Sequence, residues 1–280
     1  MDRGSIDQWL SNSQRHTLVM GVLNITPDSF SDGGKYFDHS AACQRAGELI
    51  EQGVDIIDIG GESTRPGSEN VSVDEQIRRV VPVIRWIREQ KSPSVISIDT
   101  RQSAVAEAAL EAGAHLVNDI SAGRDDAAMF PLAAKRKCPI VLMHMQGTPA
   151  TMQNNPSYAD VLKDVKDFLG ARIAAAKEAG IAEEKILIDP GIGFGKTLEH
   201  DLQLLRGLKE LSQWGRPIVL GVSRKKFIGR ITGVNEPAGR IFGTAAAIAW
   251  GVANGVGVVR VHDVREMKQV VQVMESIVRK

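Results

Sequence analysis

Asp99, Asn118, Asp189, Lys225, Arg260 and His262 share a context: each stands at or just past the end of a short run of aliphatic, largely β-branched residues. Asn24 ends TLVMGVLN, Asp58 lies in VDIIDIG, Asp99 ends SVISID, and Asn118-Asp119 interrupt HLVNDI. His144 ends PIVLMH and Asp189 ends KILID. Ser223-Arg224-Lys225 follow PIVLGV, and Arg260, His262 and Asp263 close GVVRVHD. Singly, each residue has an ordinary structural explanation. An Asp after a strand is commonly a helix N-cap or a turn former, which covers Asp99, Asp119 and Asp263. His144 between Met143 and Met145 reads as a packed histidine, and Arg260 among apolar neighbours as half of a buried ion pair. Polar groups at the end of every run, with no matching set at the opposite ends, point instead to one shared rim.

The chemistry of such a rim follows from its groups. Two carboxylates, Asp99 and Asp189, with the amide of Asn118, make an acceptor-rich floor. That floor suits a flat heterocycle with adjacent N–H donors, because a carboxylate accepts two parallel bonds. Lys225, Arg260 and His262, joined by Arg65 from the loop after the second run, form a cationic half suited to phosphate oxygens. The expected ligand is a donor-rich ring carrying a phosphate ester. Two other chemistries fail on spacing. GIGFGKT (191–197) has Pro190 where a P-loop needs Gly, and it lacks G-x-G-x-x-G spacing. Its glycines, Gly191, Gly193 and Gly195, read as a flexible rim loop that lets backbone approach a ligand. No H-E-x-x-H or Cys/His cluster offers a caged zinc.

The elements that must position these groups are legible in the periodicity. Strands are expected at 17–24, 54–60, 94–99, 115–120, 139–144, 185–189, 217–222 and 257–262, nearly continuous in apolar residues as in a parallel sheet buried on both faces. Helices are expected at 39–52, 72–90, 101–112, 126–136, 157–179, 198–213, 238–253 and 263–279. Ser72-x-x-Glu75 and Ser157-x-x-Asp160 carry capping signatures, and Gly53, Gly113, Gly180 and Gly215 sit where helices should end. Strands and helices alternate without a linker. The pattern predicts an α/β fold, a single-domain (β/α)8 TIM barrel over residues 17–280, preceded by an N-terminal extension at 1–16; a doubly wound sheet fits the chain length less well.

Composition narrows the function classes. Across 280 residues, 34 Lys+Arg balance 34 Asp+Glu, so a phosphate-driven nucleic-acid binder is not expected. The uncharged stretch 241–259 is long enough to span a membrane, but its glycines and Asn254 favour a helix, a turn and a strand, and no membrane association is expected. MDRGSIDQWLSNSQRH has no apolar leader core, and Cys43 and Cys138 form no C-x-x-C pair, so a cytoplasmic, reducing location is expected.

MGVLNITPDSFSDGG, DIIDIGGESTRPG, SIDT, NDISAG, VLMHMQGTPATM, ILIDPGIGFGKT, GVSRKKFIG and VRVHDV, in that order from residue 20 to about 264, resemble the dihydropteroate synthase family of pterin-binding barrels. The resemblance implies condensation of para-aminobenzoate with hydroxymethyl-dihydropterin pyrophosphate, giving dihydropteroate and pyrophosphate in folate biosynthesis. It implies that Asp99, Asn118, Met143, Asp189 and Lys225 contact the pterin. Asn24, Thr64, Arg260 and His262 would face the pyrophosphate, and Asn24 with Asp32 would hold Mg²⁺. Phe30, Arg65, Pro66, Phe194 and Ser223 would wall the aminobenzoate pocket, with Asp99, Asp189, Lys225, Arg260 and His262 as the catalytic set. Sulfonamides would compete as aminobenzoate mimics, and the enzyme would be a homodimer. Competing expectations are a methyltetrahydrofolate methyltransferase of the same barrel type, a Schiff-base aldolase using Lys225, and a non-catalytic pterin-binding paralogue. The first would not need the basic SRK and RVH ends or the TPDSFSDGG loop.

Overall fold

Strand and helix alternate as the periodicity predicts in the computed structural model, which describes residues 3–26, 39–63 and 70–278. Among these residues the parallel strands are β1 (Leu18–Asn24), β2 (Ile56–Gly60), β3 (Val95–Asp99), β4 (Leu116–Asp119), β5 (Ile140–Met143), β6 (Ile186–Asp189), β7 (Val219–Leu220) and β8 (Val258–Val261). The hydrogen-bonded order runs β6-β5-β4-β3-β2-β1-β8-β7, and a bridge between Ile188 and Ile218 closes the ring. β7 is short because Pro217 brings no N–H to the ladder, although Pro217 O still accepts from Ile188 N at 3.1 Å. The fold is therefore a (β/α)8 barrel.

The helices are α1 (Arg3–Ser11), α2 (His39–Glu51), α3 (Val73–Glu89), α4 (Ser103–Ala112), α5 (Met129–Arg136), α6 (Val161–Glu178), α7 (Leu198–Arg206), α8 (Leu208–Ser212), α9 (Lys226–Thr232), α10 (Ile241–Ala253) and α11 (Val264–Val278). Ser72 caps α3 as expected, its Oγ accepting from Glu75 N at 3.3 Å. The second expected cap is displaced. Ser157 N donates to Gln146 Oε1, which ties Ser157 to the preceding loop. Asp160 caps α6 in its place, accepting from Lys163 N at 3.0 Å, and the helix begins at Val161. A reciprocal capping box forms elsewhere, between Thr197 and His200, where an imidazole does what Glu or Gln usually does. The expected helix at 198–213 is divided at Gly207, where a Cβ would lie 2.7 Å from Leu162 Cδ2. Residues 241–259 are α10, a turn and β8, and among the described residues no helix is long and apolar enough to cross a membrane.

α1 is not among the expected helices. Ile6, Trp9 and Leu10 are buried against the lowest inward-facing side chains of the barrel, among them Leu18, Met20, Ile56, Leu116 and Val258. Trp9 Nε1 donates to His16 O at 2.7 Å. The N-terminal segment thus plugs the bottom of the barrel. Nine residues with an apolar face only two turns long leave too little periodicity to read.

The period of two along each strand does the positioning. Leu18, Ile56, Val95, Leu116, Val141, Leu187, Val219 and Val258 belong to the buried lower cluster. Two residues further on, the inward positions become Asp58, Ser97, Asn118, Met143, Asp189, Gly221 and Arg260, and one more step brings Asp99 and His262. The register carries this across the sheet: Asp58 pairs with Ser97, Asp99 with Asn118, and Met143 with Asp189. An apolar floor therefore supports a polar upper layer at the C-terminal ends of the strands.

Candidate active site

Nine of the expected residues line one cleft at this upper end: Asp99, Asn118, Met143, Asp189, Phe194, Ser223, Lys225, Arg260 and His262. Val22, Ile120, Gly191, Ile192 and Gly221 complete its wall. Asn24 closes β1 nearby and is half-buried. Phe30, Asp32, Thr64, Arg65 and Pro66 lie outside the described residues.

The electrostatic layout differs from the expected split into an acidic floor and a cationic half. Arg260 reaches into the floor: Nε donates to Asp58 Oδ2 at 2.6 Å and Nη2 to Asp99 Oδ2 at 2.8 Å. Asn118 Nδ2 donates to the same Asp58 oxygen at 3.0 Å, which leaves the Asn118 carbonyl as the acceptor facing the cleft. Bare carboxylates inside a barrel would carry an unrepaid desolvation penalty, so the cations interleave with them. Asp58 belongs to this centre although it is not among the expected site residues. The expected strand at 54–60 contains Asp58, but only the closed barrel shows that it is an inward position.

Asp189 is nearly sealed, and its Oδ1 accepts from Gly191 N at 2.6 Å. Burial pushes the carboxyls of Asp99 and Asp189 upward; Asp99 is raised to about 7 although Arg260 opposes the shift. Burial pulls Lys225 down to about 8, resisted by the charge of Asp189. The Lys225 ammonium stands 4.1 Å from the centroid of the Phe194 ring, a cation–π contact. Ser223 Oγ lies 3.0 Å from His262 Nδ1 and accepts from His262 N at 3.2 Å, so Ser223 braces the histidine.

Other candidates have the ordinary roles read for them. His144 is packed edge-on against Phe168, with burial and Lys196 driving its pKa down to about 3. Asp119 forms a turn, accepting from Ser121 N, Ser121 Oγ and Gly123 N. Asp263 departs from the cap or turn reading in one respect: its carboxylate holds Arg224 through two bonds. The glycine-rich loop corrects an expectation. It is pinned, not flexible, and its glycines admit protein backbone. At φ +68°, a Cβ on Gly191 would sit 1.9 Å from His144 O, and at φ +62° one on Gly195 would sit 2.7 Å from Gln146 O. Asp201 Oδ1 accepts from Gly193 N at 2.6 Å, and Tyr158 Oη donates to Gly195 O at 2.7 Å.

The metal expectation rests on oxygen donors. Asn24 supplies one, and Gly60 beside it has no side chain; a Cβ there would lie 3.5 Å from Asn24 Oδ1 and 3.6 Å from Asp99 Cβ. Among the described residues no group of three or more His, Cys, Asp or Glu is arranged to cage a metal.

Comparison with known proteins agrees with this geometry. Residues 20–262 match the family model described as pterin binding enzyme. A dihydropteroate synthase of a Synechocystis strain is 44% identical over 274 residues, covering 98% of this chain and 94% of that protein. Among solved structures, the dihydropteroate synthase of Xanthomonas albilineans with 4-aminobenzoic acid superposes with a TM-score of 0.88 at 42% identity, covering 95% of this chain and 94% of the other. The Yersinia pestis dihydropteroate synthase in complex with a sulfonamide drug gives 0.87 at 42% identity, covering 94% of each chain.

Proposed function

The chain belongs to the pterin-binding enzyme family, and on that premise we propose how its rim carries out the reaction of a dihydropteroate synthase. The amine of para-aminobenzoate bonds to the methylene carbon of hydroxymethyl-dihydropterin pyrophosphate. The carbon–oxygen bond to the diphosphate breaks, the amine gives up a proton to solvent, and dihydropteroate and pyrophosphate leave for folate biosynthesis. Sulfonamides, which present an arylamine of similar shape, compete for the aminobenzoate position.

The interleaved layer of Asp58, Asp99, Asn118, Asp189, Lys225 and Arg260 carries the residue assignments. Asp189, Asp99 and the Asn118 carbonyl accept from the N–H edge of the pterin, Lys225 donates to its acceptor edge, and Met143 packs against the ring. Among the described residues Arg260 Nη1 has no partner, so that nitrogen remains to meet the diphosphate together with His262, Asn24 and Thr64. Phe30, Arg65, Pro66, Phe194 and Ser223 wall the aminobenzoate. An arylamine is neutral near pH 7 and needs no strong base. The demanding species is the positive charge left on the methylene carbon, and the carboxylates of Asp99 and Asp189 beside the ring favour a dissociative, cation-like displacement. Asn24 and Asp32 would hold Mg²⁺, which when bound supplies neutralisation of the diphosphate charge. Pyrophosphate release measured with each component omitted in turn tests the reading. Release requiring the pterin substrate, aminobenzoate and Mg²⁺ together supports it, and release without aminobenzoate contradicts it.

The raised carboxyl and the lowered ammonium give a sign for pH dependence. Asp99 offers a two-pronged, charge-assisted acceptor to the pterin only when ionised, so that contact weakens as pH falls through about 7. Lys225 donates as a cation, so its contribution is lost as pH rises through about 8. The expected outcome is a narrow bell for kcat/KM of the pterin substrate at saturating aminobenzoate. A flat profile across that interval would remove these two groups from pterin recognition.

A homodimer is proposed on the surface of α10. Its thirteen residues contain no charge, and Phe242 is 87% exposed and Trp250 49%. Ile277 of α11 is 68% exposed. Such a face is suited to a second copy of the chain. Sedimentation should give twice the 30.3 kDa chain mass, and Phe242→Asp should return the monomer. A monomeric wild-type protein at micromolar concentration would refute this. Cys43 and Cys138 are both buried as thiols, which supports a cytoplasmic location.

A further inference from the structure

Lys196 is 3% exposed and belongs to none of the roles assigned above. Its ammonium donates to Phe194 O at 3.0 Å and lies 3.0 Å from His144 Nδ1. The Tyr158 ring centroid is 6.0 Å away. Among the described residues no carboxylate forms a salt bridge with it; Asp201, the acid that acts on it most strongly, accepts from Gly193 N. With no contacting carboxylate, burial pulls Lys196 down to about 7, and an amine sealed at that desolvation cost calls for a use.

The contacts around the loop suggest what that use is. Asp201 and Gln153 fix Gly193, the latter donating to Gly193 O at 2.8 Å, and Tyr158 fixes Gly195. Each holds a glycine on either side of Phe194. Among the described residues, the side chain that holds the carbonyl of Phe194 itself is Lys196, and its other partner, His144, follows β5. The aromatic side chain so anchored is the one over which the Lys225 ammonium sits. We propose that Lys196 is a positioning residue for the arylamine: it ties the Phe194 carbonyl to His144, and thereby holds the Phe194 ring at the place where aminobenzoate and Lys225 meet it. The neutral state of His144 is consistent with this, since an imidazolium could not accept from the ammonium.

The inference rests on the reading that aminobenzoate packs against Phe194, so the test includes a variant of that wall. Steady-state kinetics would compare Lys196→Met, Lys196→Gln and Phe194→Ala, with thermal melting to confirm the folded state and calorimetry of pterin binding alongside. Lys196→Met should raise KM for aminobenzoate about tenfold, the equivalent of one lost buried bond, while KM and affinity for the pterin side stay within about twofold. Lys196→Gln, whose amide can still donate to the carbonyl, should fall between Lys196→Met and wild type. If Lys196→Met does not accumulate, Lys196→Gln carries the comparison. Unchanged KM for aminobenzoate with a lower melting temperature or a smaller active fraction would make Lys196 purely structural and overturn the proposal. An equal rise in both KM values would also overturn it. If Phe194→Ala itself leaves the aminobenzoate KM unchanged, the wall reading fails and this inference fails with it. A rise for Phe194→Ala but not for the Lys196 variants would reject the inference alone.

Discussion

Asp189→Ala is expected to lower kcat/KM for the pterin substrate about 100- to 1,000-fold, the loss of a two-pronged, charge-assisted contact. The carboxylate is nearly sealed in the cleft and already oriented by Gly191 N at 2.6 Å, so no neighbour can swing in to replace it. Its removal also withdraws the negative charge that opposes the burial shift of Lys225, which lowers the protonated fraction of that lysine further near neutral pH. Two contacts are therefore damaged by one substitution. Calorimetry with the pterin alone separates the result from a catalytic effect. Affinity should collapse in parallel with kcat/KM, whereas intact affinity would move Asp189 out of the floor.

Arg260→Met is expected to destabilise the fold by about 3–5 kcal/mol as well as to abolish turnover, because it leaves Asp58 and Asp99 as buried carboxylates without their shared cation. Arg260→Lys should rescue little, since one ammonium cannot reproduce two bonds from separate guanidinium nitrogens. The sign of the pH dependence follows from Asp99. Its carboxyl is already raised in the folded protein and rises further without Arg260. The folded variant then holds a proton that the unfolded chain has released, so lowering the pH favours the folded state. The stability deficit relative to wild type should shrink from pH 8 to pH 5. Denaturant melts at several pH values check this, and a deficit that grows on acidification would contradict the assigned ion pairs.

The strand order and the rim were legible because each strand announces itself by a continuous apolar run and then breaks its inward alternation with a polar residue. Asp99, Asn118, Asp189, Arg260 and His262 could be picked out on that basis. Which of them meet across the barrel could not. Asp58 and Arg260 are 202 positions apart, and nothing in local spacing says that a closed ring sets one beside the other. The same closure turned the expected cationic half into a set of cations threaded among the acids. Lys196 carries no local signal, since a lysine after a glycine-rich loop reads as exposed until tertiary packing buries it. The helix at Arg3–Ser11 is too short to announce itself, and its plugging role appears only when the barrel bottom is present to receive it. The assignments of Phe30, Asp32, Thr64, Arg65 and Pro66 rest on the family resemblance, because those residues lie outside the described part of the structure.

A crystal structure of the chain with the hydroxymethyl-dihydropterin moiety bound tests pterin recognition by the upper layer of the barrel most directly. The ring should lie in the cleft above the barrel's apolar floor, with its N–H donors about 2.7–3.1 Å from Asp189 and Asp99, its acceptor edge at Lys225, and its methylene carbon directed toward Phe194. A pterin bound elsewhere on the chain, or one seated in this cleft with its donor edge turned away from both carboxylates, would rule out recognition by Asp99 and Asp189.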